Sequence, residues 1–596
     1  MSGTPTVMLA SFDAERHTAS YRFEEFVEAV TALTPAQVVP ALRRVEEMVA
    51  GGLHAAGFVS YEAAPGLDES LTTREPAPDT PLVWFGLFRR RVGFAPRFPE
   101  HEEDVSPGYE TSQWSATLQR EPYLESVGRI RQYITAGDCY QVNFTFRQQF
   151  RFSGDPLAWF HDLCRAQRAP FCAVIDTGPL RVLSTSPELF FDLRQGTLTC
   201  RPMKGTARRG RWRAEDEELR AGLAASEKER AENLMIVDLL RNDMGMVAET
   251  GSVRVESLFD VESLETLHQM TSTITARPRA GVGLAELFGA LFPCGSVTGA
   301  PKRRSMNIIR ELEDSPRGIY TGAIGYVSPA AQGAPTPFEA TFSVAIRTAV
   351  LDAASGQGQL GIGSGVTIGS TPSSEYDECL AKSRFAQMRI PDFQLVETLL
   401  HEEGAGFFLL ERHLARLYRS AAHFGIPLRL GSLQQVLTRR AALMEGRQRV
   451  RVLVNRRGAF TIQESPLAEA SCPEPAPVCF AATAVDPADQ FLYHKTTYRP
   501  LYRHELAAAP HCADVIFVNR HGEVTEGTTA NLAARIDGEM VTPPLAAGIL
   551  PGTFREELLA EGAIRERSIS REELEHCREI YLINSVRRWR PVSLLP

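Results

Sequence analysis

From residue 115 to about residue 388, strand-like and helix-like segments alternate without a clear break, and this run limits the possible folds more than any other feature of the 596-residue chain. It ends in RIPDFQLVETLL (389–400), where a helical pattern gives way to a fresh strand across Pro391. The last two hundred or so residues then open on FFLLERHLARLYRSAAHFGIPL (407–428). There Leu410, Leu414, Leu417 and Ala421 share one helical face and Gly425 is a natural stop. Ahead of the long run, residues 1–100 mix short apolar runs, HAAGFVSYEAA (54–64) and PLVWFGLF (81–88), with a helical pattern around FEEFVEAVTAL (23–33). A polar connector, PEHEEDVSPGYETSQW, covers 99–114. The pattern predicts two large mixed α/β units: 1–114 as the N-terminal part of the first, 115–388 as its main part, and 389–596 as the second.

With 43% hydrophobic residues the chain can bury large cores, and its formal net charge of −9 argues against general nucleic-acid binding. The N-terminus, MSGTPTVMLASFDAERH, lacks a basic n-region followed by an apolar core, and no apolar run approaches the roughly eighteen residues a membrane span needs. Ten cysteines are scattered without a C-x-x-C. That reads as reduced thiols rather than a disulfide framework or a zinc site, so the expectation is a soluble cytoplasmic protein with no membrane or nucleic-acid partner.

Two stretches can supply paired carboxylates. SEKERAENLMIVDLLRND (226–243) opens on Ser226 with Glu229 three residues on, and STPSSEYDECLAKSRF (370–385) carries Glu375 and Glu378 at the same spacing. Residues at i and i+3 share a helix face, so two such helices could build an all-oxygen site suited to Mg²⁺. A capping box or a solvated face would give the same letters. GIGSGVTIGS (361–370) and CGSVTGAPKRRSM (294–306), the latter with Thr298 and Lys302, could offer N–H and cationic donors to a small anion. Arg347 in FSVAIRT (342–348) needs an anionic partner, which a structural salt bridge could equally provide. RPMKGTARRG (201–210) places Lys204 between an apolar residue and a Gly-Thr pair.

GDCYQVNFTFR, STSPELFF, RPMKGTARR, AENLMIVDLLRND, GSVTGAPK, GAIGYV and VAIRT follow one another across 137–348. In that order they resemble the chorismate-utilising enzymes: the anthranilate, isochorismate, salicylate and aminodeoxychorismate synthases. The resemblance implies an α+β fold, a layered antiparallel β-sandwich with outer helices. It also implies one Mg²⁺ held directly by Glu232 and Glu375 and through water by Glu229 and Glu378. Water-adding members carry a lysine where this chain has Gln141, and anthranilate synthases an alanine where it has Lys204; the pair Gln141 and Lys204 is similar to the aminodeoxychorismate branch. On that likeness Lys204 attacks C2 of the chorismate ring as a free amine, which burial beside cations would favour, Arg201, Arg208 and Arg209 being near in sequence. Glu188 would protonate the departing 4-hydroxyl and His268 would lie beside the ring. Tyr326, Arg347, Gly363 and Gly365, with Thr298 and Lys302 as further donors, would hold substrate. Gly369 departs from the family pattern, where many members have Asp. The Leu-Leu-Glu-Ser segment tied to tryptophan feedback in anthranilate synthases is absent from the N-terminal sequence.

In the second unit, FLYHKTTYRPLYR (491–503) contains Lys495, VNRHGEVTEGTTANLAAR (518–535) contains Glu526, and TPPLAAGILPGTFREELL (542–559) enters a helix through Gly552-Thr553. A lysine, a later carboxylate and a Gly-Thr turn at a helix start are what a pyridoxal phosphate site requires. With ERHLARL (411–417) and INSVRRW (583–589) they resemble the fold-type IV pyridoxal enzymes, which have two-subdomain α/β folds. The resemblance implies that Lys495 carries pyridoxal phosphate and transfers protons, that Glu526 faces the ring nitrogen, and that Arg416 with the backbone at Thr553 and Phe554 binds phosphate. It also implies pairing into a homodimer through the C-terminal half.

Together the two resemblances imply a bifunctional enzyme of folate biosynthesis. Chorismate and ammonia would become 4-amino-4-deoxychorismate, and loss of pyruvate would give 4-aminobenzoate. The alternatives are the same synthase fused to an amino-acid aminotransferase, anthranilate formation, which Lys204 argues against, and a non-catalytic scaffold of decayed domains. The scaffold is disfavoured because Glu188, Lys204, Glu232, Glu375, Lys495 and Glu526 are all present. No cysteine sits in a G-x-C-x-G nucleophile motif, so ammonia is expected from a separate glutaminase subunit.

Overall fold

The computed structural model describes residues 4–12, 19–78, 80–96, 108–264, 267–389, 391–467 and 474–595. It forms two compact units, Met1–Arg209 with Arg220–Ile390, and Pro391–Pro596 with Gly210–Leu219. Gly210–Leu219 belongs to the second unit because Trp212 packs its ring 5.2 Å from that of Tyr493.

In the first unit every strand pair among the described residues is antiparallel. Period-two alternation sends neighbouring side chains to opposite faces. On His54–Val59, Ala55 and Val59 pack with helices Pro35–Ala50, Glu227–Gly245 and Leu284–Leu291, while Ala56 and Phe58 enter an all-strand core. On Phe171–Asp176, Ala173 and Ile175 face that same core. Cys172 and Val174 turn instead to helices Arg120–Thr135, Pro156–Gln167 and Pro372–Ser383. The layers therefore run helices, sheet, sheet, helices, the α+β sandwich with outer helices that the resemblance implied.

One local expectation is corrected. The helical pattern at FEEFVEAVTAL is the strand Tyr21–Ala32, paired with Thr6–Ala10 on one side and Val83–Gly93 on the other. Its glutamates mimic helical spacing, but two ladders outweigh propensity, and the mismatch is absorbed where Glu25 takes φ 58° and the register shifts between Phe26 and Glu28. GIGSGV lies in the strand Gln357–Val366, laid against Gln141–Gly154. Within FSVAIRT the strand Phe338–Val344 ends at Val344, and Arg347 sits in the left-handed region at φ 51° before Thr348–Asp352 begins. Most of the connector (99–107) lies outside the described residues; its end forms the strand Tyr109–Thr111, and Trp114 stacks on Phe150 at 4.0 Å.

In the second unit, a four-stranded antiparallel sheet built on Leu395–Glu402 and Gln448–Val454 packs against helices Leu410–His423 and Leu430–Ala441. Leu414, Leu417 and Ala421 are in that core, and Gly425 follows the helix at φ +60°. A separate seven-stranded mixed sheet carries the rest, giving the two α/β subdomains. No helix among the described residues is long and apolar enough to cross a membrane.

Candidate active sites

Lys204 lies on the strand Met203–Arg208, and its Nζ is 3.3 Å from Oε2 of Glu232 on the helix Glu227–Gly245. That helix is docked by Asn233, which donates to Lys204 O (3.3 Å) and accepts from Ser272 Oγ (2.6 Å). The approach is close enough that a Cβ on Gly205 (φ +96°) would lie 3.0 Å from Glu229 Oε2. Opposite, the strand Gln357–Val366 passes beneath the lysine: a Cβ on Gly365 would sit 2.3 Å from Lys204 Nζ and 2.7 Å from Gln141 Nε2. Glycine is what leaves room there for both groups. Gln141 is fully buried, and neither its amide nitrogen nor its oxygen has a hydrogen-bond partner among the described residues. An orphaned buried amide next to an amine costs about 1–3 kcal/mol unless a ligand completes it.

Glu188 is also buried, with Oε1 unpartnered. Burial pushes its carboxyl up to about 7, with Ser296, the Met203 backbone and the Lys204 charge pulling the other way. Glu229 is likewise raised, first by burial and then by Glu232. On Pro372–Ser383, Lys382 holds Glu378 at 2.7 Å and donates to Gly363 O at 3.1 Å. Burial would raise Glu378, but Lys382 keeps it below the usual range. Glu375 lies one turn earlier on the same helix and also acts on Lys382. Glu229 also feels the charge of Glu378, so carboxylates of the two helices act on one another, and an all-oxygen set of this kind would suit a divalent cation such as Mg²⁺.

His268 is buried on Leu267–Ala276, opposite Ala207, with Nδ1 2.9 Å from Ser263 Oγ. Arg347 has no carboxylate partner among the described residues; its guanidinium lies over Phe385 at 5.9 Å, and burial lowers its pKa to about 10.

In the second unit Lys495 is brought down to about 7 by burial and by the charges of Arg416 and Arg499. Glu526 is fixed by three donors: Tyr502 Oη (3.0 Å), Asn531 Nδ2 (3.0 Å) and Leu550 N (3.1 Å). Burial raises it to about 7. Arg416 forms a two-pronged pair with Glu397 (2.9 and 2.7 Å) and donates to Pro551 O (3.1 Å), so two of its N–H groups remain for an anion. Glu397 also takes His413 Nδ1 at 2.6 Å, and His413 Nε2 is 3.2 Å from Thr553 Oγ1 at the start of the helix Thr553–Ala560. A depressed lysine, a buried carboxylate and a helix N-terminus beside an arginine suit pyridoxal phosphate.

Residues 3–388 match the chorismate binding enzyme family. The chain belongs to that family. Residues 394–595 match the class IV amino-transferases, whose cofactor is pyridoxal phosphate. Aminodeoxychorismate synthase component 1 of Klebsiella aerogenes is 46% identical over 272 residues, 46% of this chain and 58% of that protein. Aminodeoxychorismate synthase of Streptomyces griseus is 44% identical over 359 residues, 55% of this chain and 48% of its own length. The chain thus spans about half the length of these curated relatives. The crystal structure of anthranilate synthase component I from Streptococcus pneumoniae shares the fold at a TM-score of 0.50 and 22% identity, covering 65% of this chain and 91% of that one.

Within this chorismate binding enzyme, several expected residues are engaged elsewhere. Lys302 donates to Asp243 (2.7 Å) and Leu291 O (3.1 Å). The Thr298 hydroxyl donates into its own turn at Cys294 O. Tyr326 lies in the all-strand core, accepts from Arg194 at 3.0 Å and packs edge-on to Tyr21. A different tyrosine meets the glycine strand: a Cβ on Gly361 would lie 2.1 Å from the Tyr320 ring, on the side of the strand that Gly365 turns to Lys204. Gly363 is shut by the Phe144 carbonyl oxygen, 2.6 Å from where its Cβ would be. Arg201 is turned to Glu262 (3.8 Å) and Arg209 to Leu264 O (2.6 Å); the group paired with Lys204 is the Glu232 carboxylate, with the Gln141 amide also turned to Gly365. The Phe554 side chain turns into a core with Phe408 and Trp589, leaving only its backbone for an anion. Lys382, Glu397 and His413 were missed; only Lys382, at i+4 from Glu378, had a local signal.

Proposed function

We propose that the chain makes 4-aminobenzoate from chorismate and ammonia in two steps, with ammonia delivered by a separate glutamine amidotransferase subunit. The observation that carries the reading is Lys204 and the unpartnered Gln141 converging over Gly365, beside Glu188 and Glu232. In the first unit Lys204 gives up a proton to a neighbouring carboxylate and its amine attacks C2 of the ring. Glu188, with its carboxyl near neutrality, protonates the hydroxyl leaving C4. Ammonia then attacks C4 and expels Lys204. Arg347 offers an uncommitted guanidinium to a substrate carboxylate. Glu229, Glu232, Glu375 and Glu378 would hold Mg²⁺, which would supply positive charge against substrate carboxylate and leaving group.

In the second unit Lys495 would hold pyridoxal phosphate, Glu526 would face its ring nitrogen, and Arg416, Thr553 and the Phe554 backbone would receive its phosphate. That cofactor would supply an electron sink. Lys495, at about 7, takes the ring proton at C4 of the amino intermediate, and pyruvate departs as the ring becomes aromatic.

The test is the purified chain with chorismate, Mg²⁺, ammonium and pyridoxal phosphate, followed by chromatography. 4-Aminobenzoate is expected, and Lys495→Ala should stop at aminodeoxychorismate. Anthranilate, or no consumption of chorismate even with a glutaminase added, would overturn the first half. An unaltered yield from Lys495→Ala would overturn the second.

A further inference from the structure

Two thiols and an imidazole outside both sites come together in the second unit. Cys479 is on the strand Ala476–Phe480, opposite Val515 of the parallel neighbour Asp514–Ile516. His511 and Cys512 lie in the turn between the helix Pro500–Ala508 and that neighbour, a turn held by Cys512 N donating to Ala509 O at 3.0 Å. One ligand atom from each of Cys479, His511 and Cys512 lies within 4.8 Å of the other two. We propose that this trio is a site for a thiophilic divalent ion, Zn²⁺ in the first instance, with water in the fourth position.

The geometry suits a tetrahedral ion. Metal–sulfur bonds of about 2.3 Å and metal–nitrogen bonds of about 2.0 Å put neighbouring ligand atoms roughly 3.5–3.8 Å apart, within the observed span. The charges close as well: two thiolates and a neutral imidazole cancel a divalent ion, so no net charge is left at the edge of a core. Cys512 is buried with Tyr502 and Phe517, Cys479 packs against them half-buried, and His511 is exposed, so the site lies at the edge of a core with its histidine on the solvent side. Asp514 acts on Cys479 from nearby, with its Oδ1 accepting from Val515 N, Thr528 N and Thr528 Oγ1, but it is not among the converging ligand atoms, which leaves the fourth position to water. Sulfur donors also set this site apart from the all-oxygen cluster of the first unit, since they disfavour Mg²⁺. The cysteine spacing in the sequence gave no hint of it, because strand pairing rather than a C-x-x-C turn brings the ligands together.

The alternative is two core thiols beside a surface histidine. Cobalt separates the two on the full chain, reduced and stripped by chelator. Co²⁺ should develop an intense thiolate-to-cobalt absorption and four-coordinate visible bands, saturating at about one equivalent per chain and erased by Zn²⁺ but not by Mg²⁺. Cobalt among the carboxylates of the first unit gives only weak six-coordinate bands. Cys479→Ser and His511→Ala should each weaken binding at least ~10-fold with the far-ultraviolet circular dichroism unchanged; His511 is exposed, so its loss leaves the core intact. The proposal is overturned if the unaltered chain shows no thiolate band, if the band survives both substitutions, or if the two cysteines only oxidise to a disulfide without taking up metal.

Discussion

Lys204 Nζ stands 3.3 Å from Glu232 Oε2, so the amine is paired with one of the carboxylates proposed to hold the cation. The ion pair stabilises the resting lysine, and the carboxylate that holds it is also one the cation would claim. Lys204→Ala should lower chorismate amination at least ~10³-fold. Lys204→Arg should not rescue it, because a guanidinium stays protonated and cannot attack. Single-turnover chorismate consumption checks both; a Lys204→Ala enzyme keeping more than about a tenth of the rate would remove the lysine from the chemistry.

Glu188 gives the first reaction a pH signature. Its carboxyl is raised from 4.5 to about 7, chiefly by burial, so the acid form that protonates the leaving hydroxyl is lost as pH climbs past about 7. Turnover should therefore fall on the alkaline side. The sign for stability is the same: the contribution of the neutral carboxyl is full below 4.5 and is lost as pH rises through about 7. Glu188→Gln should remove that limb of the profile and cost ~10²–10⁴-fold in rate. A limb that persists in the variant belongs to another group.

How far the letters carried the fold and the sites depends on whether a residue's partners are local. Lys204, Gln141, Lys495 and Glu526 could be singled out as candidates because each sits in a short motif that carries a family resemblance. Lys302 was misread because its partner, Asp243, lies on another helix, and nothing near Lys302 announces it. Tyr326 was named as a substrate contact, and its place in the strand core, with its hydroxyl taken by Arg194, follows from a register that its own motif does not show. Glu397 and His413 form a contact between a strand and a helix, and in sequence each is an ordinary charged residue beside leucines. The strand Tyr21–Ala32 was hidden by glutamates at helical spacing, which pairing on both sides overrides.

Glu397 works in the opposite direction from Glu188. Burial alone would raise it, but Arg416 and His413 overcome that and hold it down at about 2. Its stabilising contribution is thus present above 4.5 and is lost as pH falls through about 2. Glu397→Gln leaves Arg416 as an unpaired buried cation and should destabilise the chain by about 3–5 kcal/mol. It should also free the His413–Thr553 contact at the helix start, so affinity for inorganic phosphate at that end should change along with stability. Urea unfolding from pH 5 downward, with and without phosphate, reads both effects; an unchanged midpoint would mean the pair contributes nothing net.

Arg317 supports the first site from behind. Fully buried, it donates to Glu313 with Nε (3.0 Å) and Nη2 (2.6 Å), to Val297 O (2.7 Å) and to Asn143 O (2.7 Å). Those contacts tie the turn before Thr298 to the strand that carries Gln141. Arg317→Met should cost about 3–5 kcal/mol, because Glu313 would keep a buried charge without its counterion. The double variant Arg317→Met with Glu313→Leu should recover only part of that. Removing both charges relieves the unpaired carboxylate, yet Thr145 N and Oγ1 then lose the acceptor they both reach at 2.9 Å. If the network also positions Gln141, the single variant should raise KM for chorismate more than it lowers kcat. A stability loss with KM unmoved would confine Arg317 to the scaffold.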